Sequence, residues 1–263
     1  MQTNFKKIAI VTSLLGVTAL SALLISKHMI NSKKAHATPR KRTAATAPVE
    51  AHEQRPETSE AAPASIPRSL ILIGDSQTQG TLGEAYTRAF DQTDVRYFGK
   101  PGATHGDYLS DPSLKQALRG LGCADVIVIQ LGDNGVSNSQ SSVEGFIRLI
   151  RAQCPDALIV WAGPMKAVAP TNGSSTYVNT TDRSSSRYLP TYNETRRLWD
   201  GRLSAWLPDL GVTYFSNYYA QEAQPASSPF SDSREGDGIH LTKESAAALA
   251  EIMRDFIHFD LEA

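Results

Sequence analysis

Leu70-Ile71-Leu72-Ile73, followed at once by Gly74-Asp75-Ser76, is the stretch that decides the fold of this chain. An uninterrupted apolar run of this length, ending at a glycine, is typical of a strand that is buried on both faces of a parallel sheet. In such sheets the functional side chains lie in the loops at the carboxyl ends of the strands. Ser76 therefore stands where a parallel sheet places its chemistry.

Further along the chain, apolar runs of strand length alternate with stretches of helical spacing. Within 82–90, for example, Leu82, Ala85, Tyr86 and Ala89 share one helical face. This alternation favours a parallel sheet with helices on both faces. We therefore predict an α/β fold of three α/β/α layers around a five-stranded, flavodoxin-like parallel sheet. The predicted strands cover 70–73, 95–98, 126–131, 157–161 and 212–215, and the predicted helices cover 82–90, 114–121, 143–154, 193–206 and 242–256.

Four residues follow these strands closely enough to form a site. Ser76 follows the first strand, Gly102 the second and Asn134 the third, and His240 lies in the last loop. Because the carboxyl ends of parallel strands share one edge, we expect all four to converge there. The segment 166–190, which is dense in Ser, Thr, Asn and Gly, belongs to the same edge. A loop of this length is a lid, a binding element or disordered, and the sequence leaves that choice open.

Asp237-Gly238-Ile239-His240 supplies a histidine with a carboxylate three residues before it. Nucleophilic ester chemistry needs a hydroxyl, a base that takes its proton, and a group that orients the base. Ser76, His240 and Asp237 fit these three roles. Each has an ordinary alternative, because a serine at this junction can cap a helix and Asp-Gly is common in turns. The other histidines and carboxylates show no spacing that completes a metal ligand set, so we expect no metal and no cofactor.

Gly102-Ala103-Thr104 and Gly132-Asp133-Asn134 contain groups that can stabilise a developing negative charge. A glycine lets a substrate oxygen approach the backbone N–H of Gly102, the Asn134 amide adds a second donor, and the N–H of Ser76 a third. A turn glycine and a helix cap are the structural alternatives. Asp75, next to the nucleophile, should point away from it, so we predict a hydrogen-bonding role in the turn for Asp75 rather than the role of base.

Together these segments resemble the SGNH hydrolases, also called the GDSL esterase/lipase family. The matching blocks are Gly74-Asp75-Ser76, Gly102, Gly132-Asp133-Asn134 and Asp237-x-x-His240, and the resemblance spans 67–263. It implies the SGNH hydrolase fold, catalytic Ser76, Asp237 and His240, and an oxyanion hole of Ser76, Gly102 and Asn134. Two positions depart from the family pattern. Gln77 stands where leucine is frequent, and Gly135 stands where aspartate is common.

The resemblance implies a carboxylic-ester hydrolase, with a small ester or an O-acetylated glycan as its substrate. We expect an O-acetylesterase that acts on carbohydrate or cell-wall polysaccharide. A lipase or acyltransferase of the same family, and a non-catalytic carbohydrate-binding module on the same fold, are the alternatives.

Residues 1–30 form a separate segment, which we predict to be a signal anchor or a signal peptide. Lys6 and Lys7 precede an uncharged apolar stretch, 8–26, just long enough to cross a bilayer. Ala35-His36-Ala37 has the form of a cleavage site but lies far beyond that stretch, which favours the anchor. Residues 31–66, rich in Ala, Pro, Thr and Glu, predict a disordered tether. The catalytic domain should then cover 67–263.

The orientation of this segment rests on two opposing signals. More basic residues follow the apolar stretch than precede it, which by the positive-inside rule leaves the domain in the cytoplasm. A very short amino-terminal tail before an apolar stretch is instead typical of export signals. We predict export, with the domain anchored on the periplasmic or extracellular side.

The two cysteines and the net charge bear on environment and partners. Cys123 and Cys154 each precede a predicted strand by three residues, so they are either a disulfide or two small buried apolar side chains. A disulfide would require an oxidising compartment. The formal net charge is −1, which gives no electrostatic case for a nucleic-acid partner. The sequence does not indicate an oligomeric state.

Overall fold

The computed structural model describes residues 66–134, 139–232 and 234–262. The predicted signal segment, all but the last residue of the predicted tether, and Gly135 lie outside these ranges. Within them, no helix is both long enough and apolar enough to span a membrane.

A parallel sheet runs through the centre of the described domain. Its strand order is β2-β1-β3-β4-β5, and each neighbouring pair is parallel. This is the flavodoxin-like order, so the predicted fold class is confirmed. The observed strands begin and end within two residues of the predicted ones. They are β1 Ser69–Gly74, β2 Asp94–Gly99, β3 Val126–Gln130, β4 Leu158–Ala162 and β5 Thr213–Phe215.

Helices cover both faces of this sheet and include the five predicted ones. Three short helices, α2, α6 and α7, were not predicted. The helices are α1 Gly83–Ala89, α2 His105–Ser110, α3 Pro112–Leu121, α4 Gln140–Gln153, α5 Leu189–Trp206, α6 Asn217–Glu222, α7 Pro229–Asp232 and α8 Lys243–Glu262. A π-helical turn, Thr78–Leu82, leads into α1, and a 3-10 turn, Pro208–Leu210, precedes β5.

Alternate residues of the central strands face two separate cores. Ile71, Ile127 and Ile159 point to a core built with α2, α3, α4 and α5. Leu70, Val128 and Val160 point to a second core built with α1 and α8. All six side chains are at most 2 % exposed. Full burial of an aliphatic side chain stabilises the folded state by about 1.5–3 kcal/mol, which is why β1, β3 and β4 each contain an unbroken apolar run.

The strand order places a crevice at the carboxyl end of β1. The chain passes from β1 to β2 on one side, and β3 lies on the other side, so the sheet reverses its winding between β1 and β3. Sites in open parallel sheets lie at such a point. Gly74 ends β1 there, and a Cβ atom on it would collide with Thr78 Oγ1 and crowd Gln130 O. The missing side chain therefore lets the chain turn into the crevice directly before Ser76.

The segment 166–188, which lies between β4 and α5, is packed against the domain. Asn179 forms isolated bridges with Ser174 and Tyr188, and the Val178 side chain is fully buried. Of the three alternatives left open by the sequence, these contacts argue against the disordered one.

Cys123 and Cys154 lie at the opposite edge of the sheet, before β3 and β4. Their Cα atoms are 5.4 Å apart and the two residues are paired as a disulfide. This separation lies within the range that a disulfide spans.

Candidate active site

Ser76, His240 and Asp237 are brought together at the carboxyl edge of the sheet. His240 Nε2 lies 3.0 Å from Ser76 Oγ, and His240 Nδ1 lies 2.5 Å from Asp237 Oδ2. Ser76 follows β1 directly, whereas the other two residues lie in the loop before α8. The hydroxyl, the imidazole and the carboxylate thus form one chain of hydrogen bonds, assembled from opposite ends of the domain.

The environment of Asp237 keeps its carboxyl group ionised. Its partial burial works to raise the pKa, but the hydrogen bonds from the His240 ring and from two backbone N–H groups outweigh it, so that the pKa of Asp237 lies below its usual value. An ionised carboxylate can only accept, so it holds the Nδ1–H tautomer of His240. The lone pair of Nε2 is then directed at the Ser76 hydroxyl.

The turn that carries Asp237 and His240 is organised by the same carboxylate. Asp237 Oδ1 accepts hydrogen bonds from the N–H of Ile239 at 2.9 Å and of His240 at 3.0 Å. Gly238 between them has φ of +80°, a conformation that residues with a side chain rarely adopt. A Cβ atom there would also collide with Val168 O. The glycine is therefore needed both for the shape of the turn and for its packing.

Gln77 binds the same loop from the side of Ser76. Its Nε2 donates to Ile239 O at 3.0 Å, and its Oε1 accepts from Leu241 N at 3.1 Å. The side chain is buried, with 3 % of the residue exposed. The sequence analysis marked Gln77 only as a departure from leucine and assigned it no role. A polar residue at an expected apolar position was the available signal.

The segment 166–188 packs along the outer side of the loop. Val168 N donates to Gly238 O, Thr171 N donates to Gly236 O, and Ser175 Oγ donates to Asp237 O, at 2.9, 3.0 and 2.8 Å. Tyr177 lies edge to face with His240, with ring centroids 5.5 Å apart. Tyr177 is 45 % exposed, so this segment brings an open aromatic ring to the histidine.

Asp75 binds structural partners, as predicted. Its Oδ1 accepts from Gln77 N at 3.0 Å, and its Oδ2 accepts from the Asn134 side-chain amide at 2.7 Å. Asp75 therefore ties the Asn134 side chain to the turn that carries Ser76. The amide nitrogen of Asn134 has two N–H groups, and this bond uses one of them.

Gly102 lies in the loop after β2 and has φ of +72°. The start of that loop is joined to the end of β1, since Lys100 N donates to Gly74 O at 3.2 Å. The loop that carries Gly102 therefore borders the turn that carries Ser76.

The pKa of Asp75 is raised to about 8, chiefly because the carboxyl group is buried, with the Asp133 carboxylate adding to the rise. The N–H of Gln77 and the Arg196 guanidinium oppose the shift. The carboxyl group beside Ser76 is thus protonated more readily than usual, which is a consequence of removing it from water.

Arg196 supports the Asn134 segment from behind. Its Nε donates to Asp133 Oδ1 at 3.2 Å and its Nη2 to Asp133 O at 2.9 Å. Both side chains are buried, 4 % and 7 % exposed. The sequence analysis missed this pair, because Arg196 and Arg197 are adjacent in a predicted helix. Only the structure shows that Arg197 is the exposed one, paired with Glu194.

Comparison with known proteins gives similarity in structure but not in sequence. No family model matches the chain, and no curated protein matches it. A protein from Slackia heliotrinireducens, whose name places it among the SGNH hydrolases, aligns at 17 % identity and a TM-score of 0.54, covering 72 % of this chain and 98 % of that one.

Two further solved structures align over similar lengths. A carbohydrate acetylesterase family member from Sinorhizobium meliloti is 16 % identical with a TM-score of 0.53, over 74 % of this chain and 100 % of the other. A GDSL-like lipase from Bacteroides thetaiotaomicron is 12 % identical with a TM-score of 0.53, over 73 % and 89 %. The four sequence blocks and the strand order lead to the same architecture as these neighbours. The described domain therefore has the fold of the SGNH hydrolases.

Proposed function

We propose that this chain is a serine esterase that hydrolyses carboxylic esters through Ser76, His240 and Asp237. The observation that carries the proposal is the continuous hydrogen-bond chain from Ser76 Oγ through the His240 ring to Asp237. A hydroxyl, a base and an orienting carboxylate in this order are the groups that nucleophilic acyl transfer requires.

In the acylation step, His240 Nε2 takes the proton of Ser76 Oγ as the oxygen attacks the ester carbonyl carbon. The ionised Asp237 stabilises the imidazolium that forms. The carbonyl oxygen becomes an oxyanion, which accepts hydrogen bonds from the backbone N–H groups of Ser76 and Gly102 and from the Asn134 amide. The imidazolium then gives its proton to the leaving alcohol as the carbon–oxygen bond breaks.

In the deacylation step, His240 acts as base a second time. A water molecule gives its proton to Nε2 and attacks the acyl carbon of the Ser76 ester. The second tetrahedral intermediate collapses, the carboxylic acid leaves, and Ser76 Oγ regains its proton. Both half-reactions thus depend on the same imidazole and the same oxyanion donors.

We propose O-acetylated carbohydrate as the substrate class. Two observations support it: one structural neighbour is named a carbohydrate acetylesterase, and the exposed Tyr177 ring lies beside His240. The leaving alcohol must approach Nε2, so a sugar bearing that alcohol would come to rest near this ring. A lipase would prefer long acyl chains, an acyltransferase would pass the acetyl group to a sugar hydroxyl, and a non-catalytic module would bind glycan without turnover.

We propose further that the domain works outside the cytoplasm, anchored by residues 1–30. The Cys123–Cys154 pairing supports this placement, because disulfides persist in oxidising compartments. A carboxyl-terminal fusion of the full chain to a reporter that is active only after export should be active. An expressed but silent fusion would favour the cytoplasmic orientation.

The proposed activity is tested by comparing the full chain with its Ser76→Ala variant on p-nitrophenyl acetate. We expect the variant to lose nearly all turnover. Ser110→Ala is a matched control, because Ser110 is an exposed serine whose hydroxyl donates within its own helix. Equal rates for the full chain and Ser76→Ala would contradict the esterase proposal and favour a binding module.

The substrate class is tested by measuring acetate release from O-acetylated polysaccharides and, in parallel, fatty-acid release from long-chain esters. Free acetate should be the main product. Faster hydrolysis of the long-chain esters would indicate a lipase. Acetylated glycan formed from an acetyl donor, in place of free acetate, would indicate a transferase.

A further inference from the structure

Gln77 directly follows Ser76, the proposed nucleophile. Its side chain reaches the loop that carries His240, the proposed base. Its amide spans His240 from both sides, since the bonds go to the carbonyl of the residue before it and to the N–H of the residue after it. The amide thus binds the loop as a neighbouring strand would, with one donor and one acceptor.

These two bonds complete the hydrogen bonding of the backbone around His240. The N–H groups of Ile239 and His240 bind Asp237 Oδ1, and the carbonyl of His240 accepts from Glu235 N at 2.7 Å. The backbone groups that remain in this stretch are the carbonyl of Ile239 and the N–H of Leu241, and Gln77 binds both. Loss of the amide would leave the buried N–H of Leu241 and the partly buried carbonyl of Ile239 without these partners.

The consequence for geometry follows from where Gln77 is attached. Its backbone is fixed next to Ser76, and its N–H is held by Asp75 Oδ1 at 3.0 Å. The side chain is therefore a short, buried connection between the backbone of the nucleophile and the backbone of the base. A leucine at this position could fill the same space but could form neither bond.

We propose that Gln77 is a positioning residue that sets the distance and orientation between Ser76 Oγ and His240 Nε2. This inference rests on the proposed serine-esterase function. The glutamine that stands in place of leucine thereby has a role, because its side-chain amide fixes the position of the His240 loop relative to Ser76. Gln77 itself touches neither substrate nor the reacting atoms.

The chain offers a matched control in Thr81. Thr81 Oγ1 donates to Leu241 O at 3.2 Å, so it ties the same turn of helix to the same loop. Its bond lies on the far side of Leu241 and does not flank His240. Thr81→Val should therefore cost stability in the way that Gln77→Met does, without altering the Ser76–His240 pair.

The experiment measures kcat, KM and Tm for the full chain, Gln77→Met, Gln77→Glu and Thr81→Val, with acetate esters of two different alcohols. Gln77→Met keeps the length of the side chain and removes both bonds. Gln77→Glu keeps the acceptor and removes the donor. If a displacement of about 1 Å in a reacting group costs on the order of 100-fold in rate, we expect kcat of both Gln77 variants to fall about 10- to 100-fold.

Positioning predicts three features of the result, and the third distinguishes it from a general loss of structure. KM should stay nearly unchanged, because the substrate contacts are intact. The loss should be equal for both alcohols, because His240 serves acylation and deacylation alike. Thr81→Val should lower Tm but keep kcat close to that of the full chain.

Two outcomes would overturn the proposal. One is a Gln77→Met variant with the kcat of the full chain. The other is that Gln77→Met and Thr81→Val both lose kcat in proportion to their decrease in Tm. That result would make Gln77 a purely structural residue. Failure of the esterase proposal is separate, since it would appear as equal activity of the full chain and Ser76→Ala.

Discussion

The Asn134 side-chain amide has one structural hydrogen bond and one proposed catalytic hydrogen bond. One N–H binds Asp75 Oδ2, and the proposed mechanism uses the other for the oxyanion. Loss of one oxyanion donor costs about 2.7–4 kcal/mol of barrier, so Asn134→Ala should lower kcat roughly 100- to 1000-fold. Steady-state kinetics on p-nitrophenyl acetate measures this.

The KM of Asn134→Ala should change little, because the interaction strengthens only as negative charge develops. Circular dichroism serves as the control for folding. A folded variant that keeps its kcat would remove Asn134 from the oxyanion hole.

Asp75 predicts a pH dependence of stability. Its pKa rises from 3.8 to about 8 on folding, so the folded state binds this proton more tightly. The sign follows from linkage: the contribution is present in full below the unfolded pKa and is lost as the pH rises through the folded one. The slope from one such group is at most about 1.4 kcal/mol per pH unit.

The measurement is urea unfolding of the full chain and of Asp75→Asn at several pH values between the two pKa values. The free energy of unfolding should fall more steeply with pH in the full chain than in Asp75→Asn, because the amide does not titrate. Parallel curves would show that the pKa of Asp75 is not raised.

The residues that the sequence could predict are those whose role shows in short-range spacing. Asp237 and His240 lie three apart, and Ser76 directly follows a buried strand. Gln77 and Arg196 could not be assigned, because their partners lie far away in the chain and depend on which side chain turns inward. Their functions are visible only as contacts.

At the scale of elements, the segment 166–188 predicts a preference for the leaving group. Tyr177 is exposed beside His240. In the proposed mechanism His240 protonates the leaving alcohol, so that alcohol would lie on the same side as the ring. An aromatic contact is worth about 1 kcal/mol, so Tyr177→Ala should lower kcat/KM for a methyl 6-O-acetylglucoside about 5- to 10-fold. Ethyl acetate has no sugar ring to contact Tyr177, so Tyr177→Ala should hydrolyse it at the same rate as the full chain.

Tyr177→Phe keeps the ring and loses the hydroxyl, so it should behave like the full chain on both esters. An equal loss on both esters in Tyr177→Ala would contradict a leaving-group contact and indicate a disturbed His240 loop instead.

The elements that could be predicted are the long ones with a clear period. The buried runs of β1, β3 and β4 and the amphipathic spacing of α4 and α8 identify themselves. The helices α2, α6 and α7 have six, six and four residues, too few to display a helical period. The segment 166–188 shows neither a helical nor a strand period. It is held by side-chain and loop hydrogen bonds and not by a regular backbone ladder, so its sequence carries no repeating pattern.

At the scale of the whole molecule, the disulfide and the proposed active site lie at opposite edges of the sheet. Cys123 and Cys154 are 31 residues apart, and closing a loop of this length stabilises by about 4 kcal/mol in the chain-entropy model. Denaturant unfolding of the Cys123→Ala/Cys154→Ala double variant should show a loss of about 2–4 kcal/mol. Its kcat should stay that of the full chain.

Reduction provides the control for this prediction. Dithiothreitol should lower the stability of the full chain and leave that of the double variant unchanged. An unchanged full chain under reduction would mean that the disulfide does not contribute to stability.

The architecture as a whole was predictable because parallel α/β sheets obey few rules. The alternation of elements gives the layers, and the preference for carboxyl-edge sites brings Ser76 and His240 together. The detailed support of the site was not predictable, since it depends on the packing of Asp75, Gln77 and Arg196 around it.

The central claim is that Ser76 is a nucleophile activated by His240, and covalent labelling by a fluorophosphonate tests it most directly. The full chain should gain one adduct, located by peptide mass spectrometry on Ser76, with esterase activity lost in proportion to labelling. His240→Ala should label far more slowly. Adducts on another residue that accompany the loss of activity, or full labelling of Ser76 with activity retained, would contradict the account.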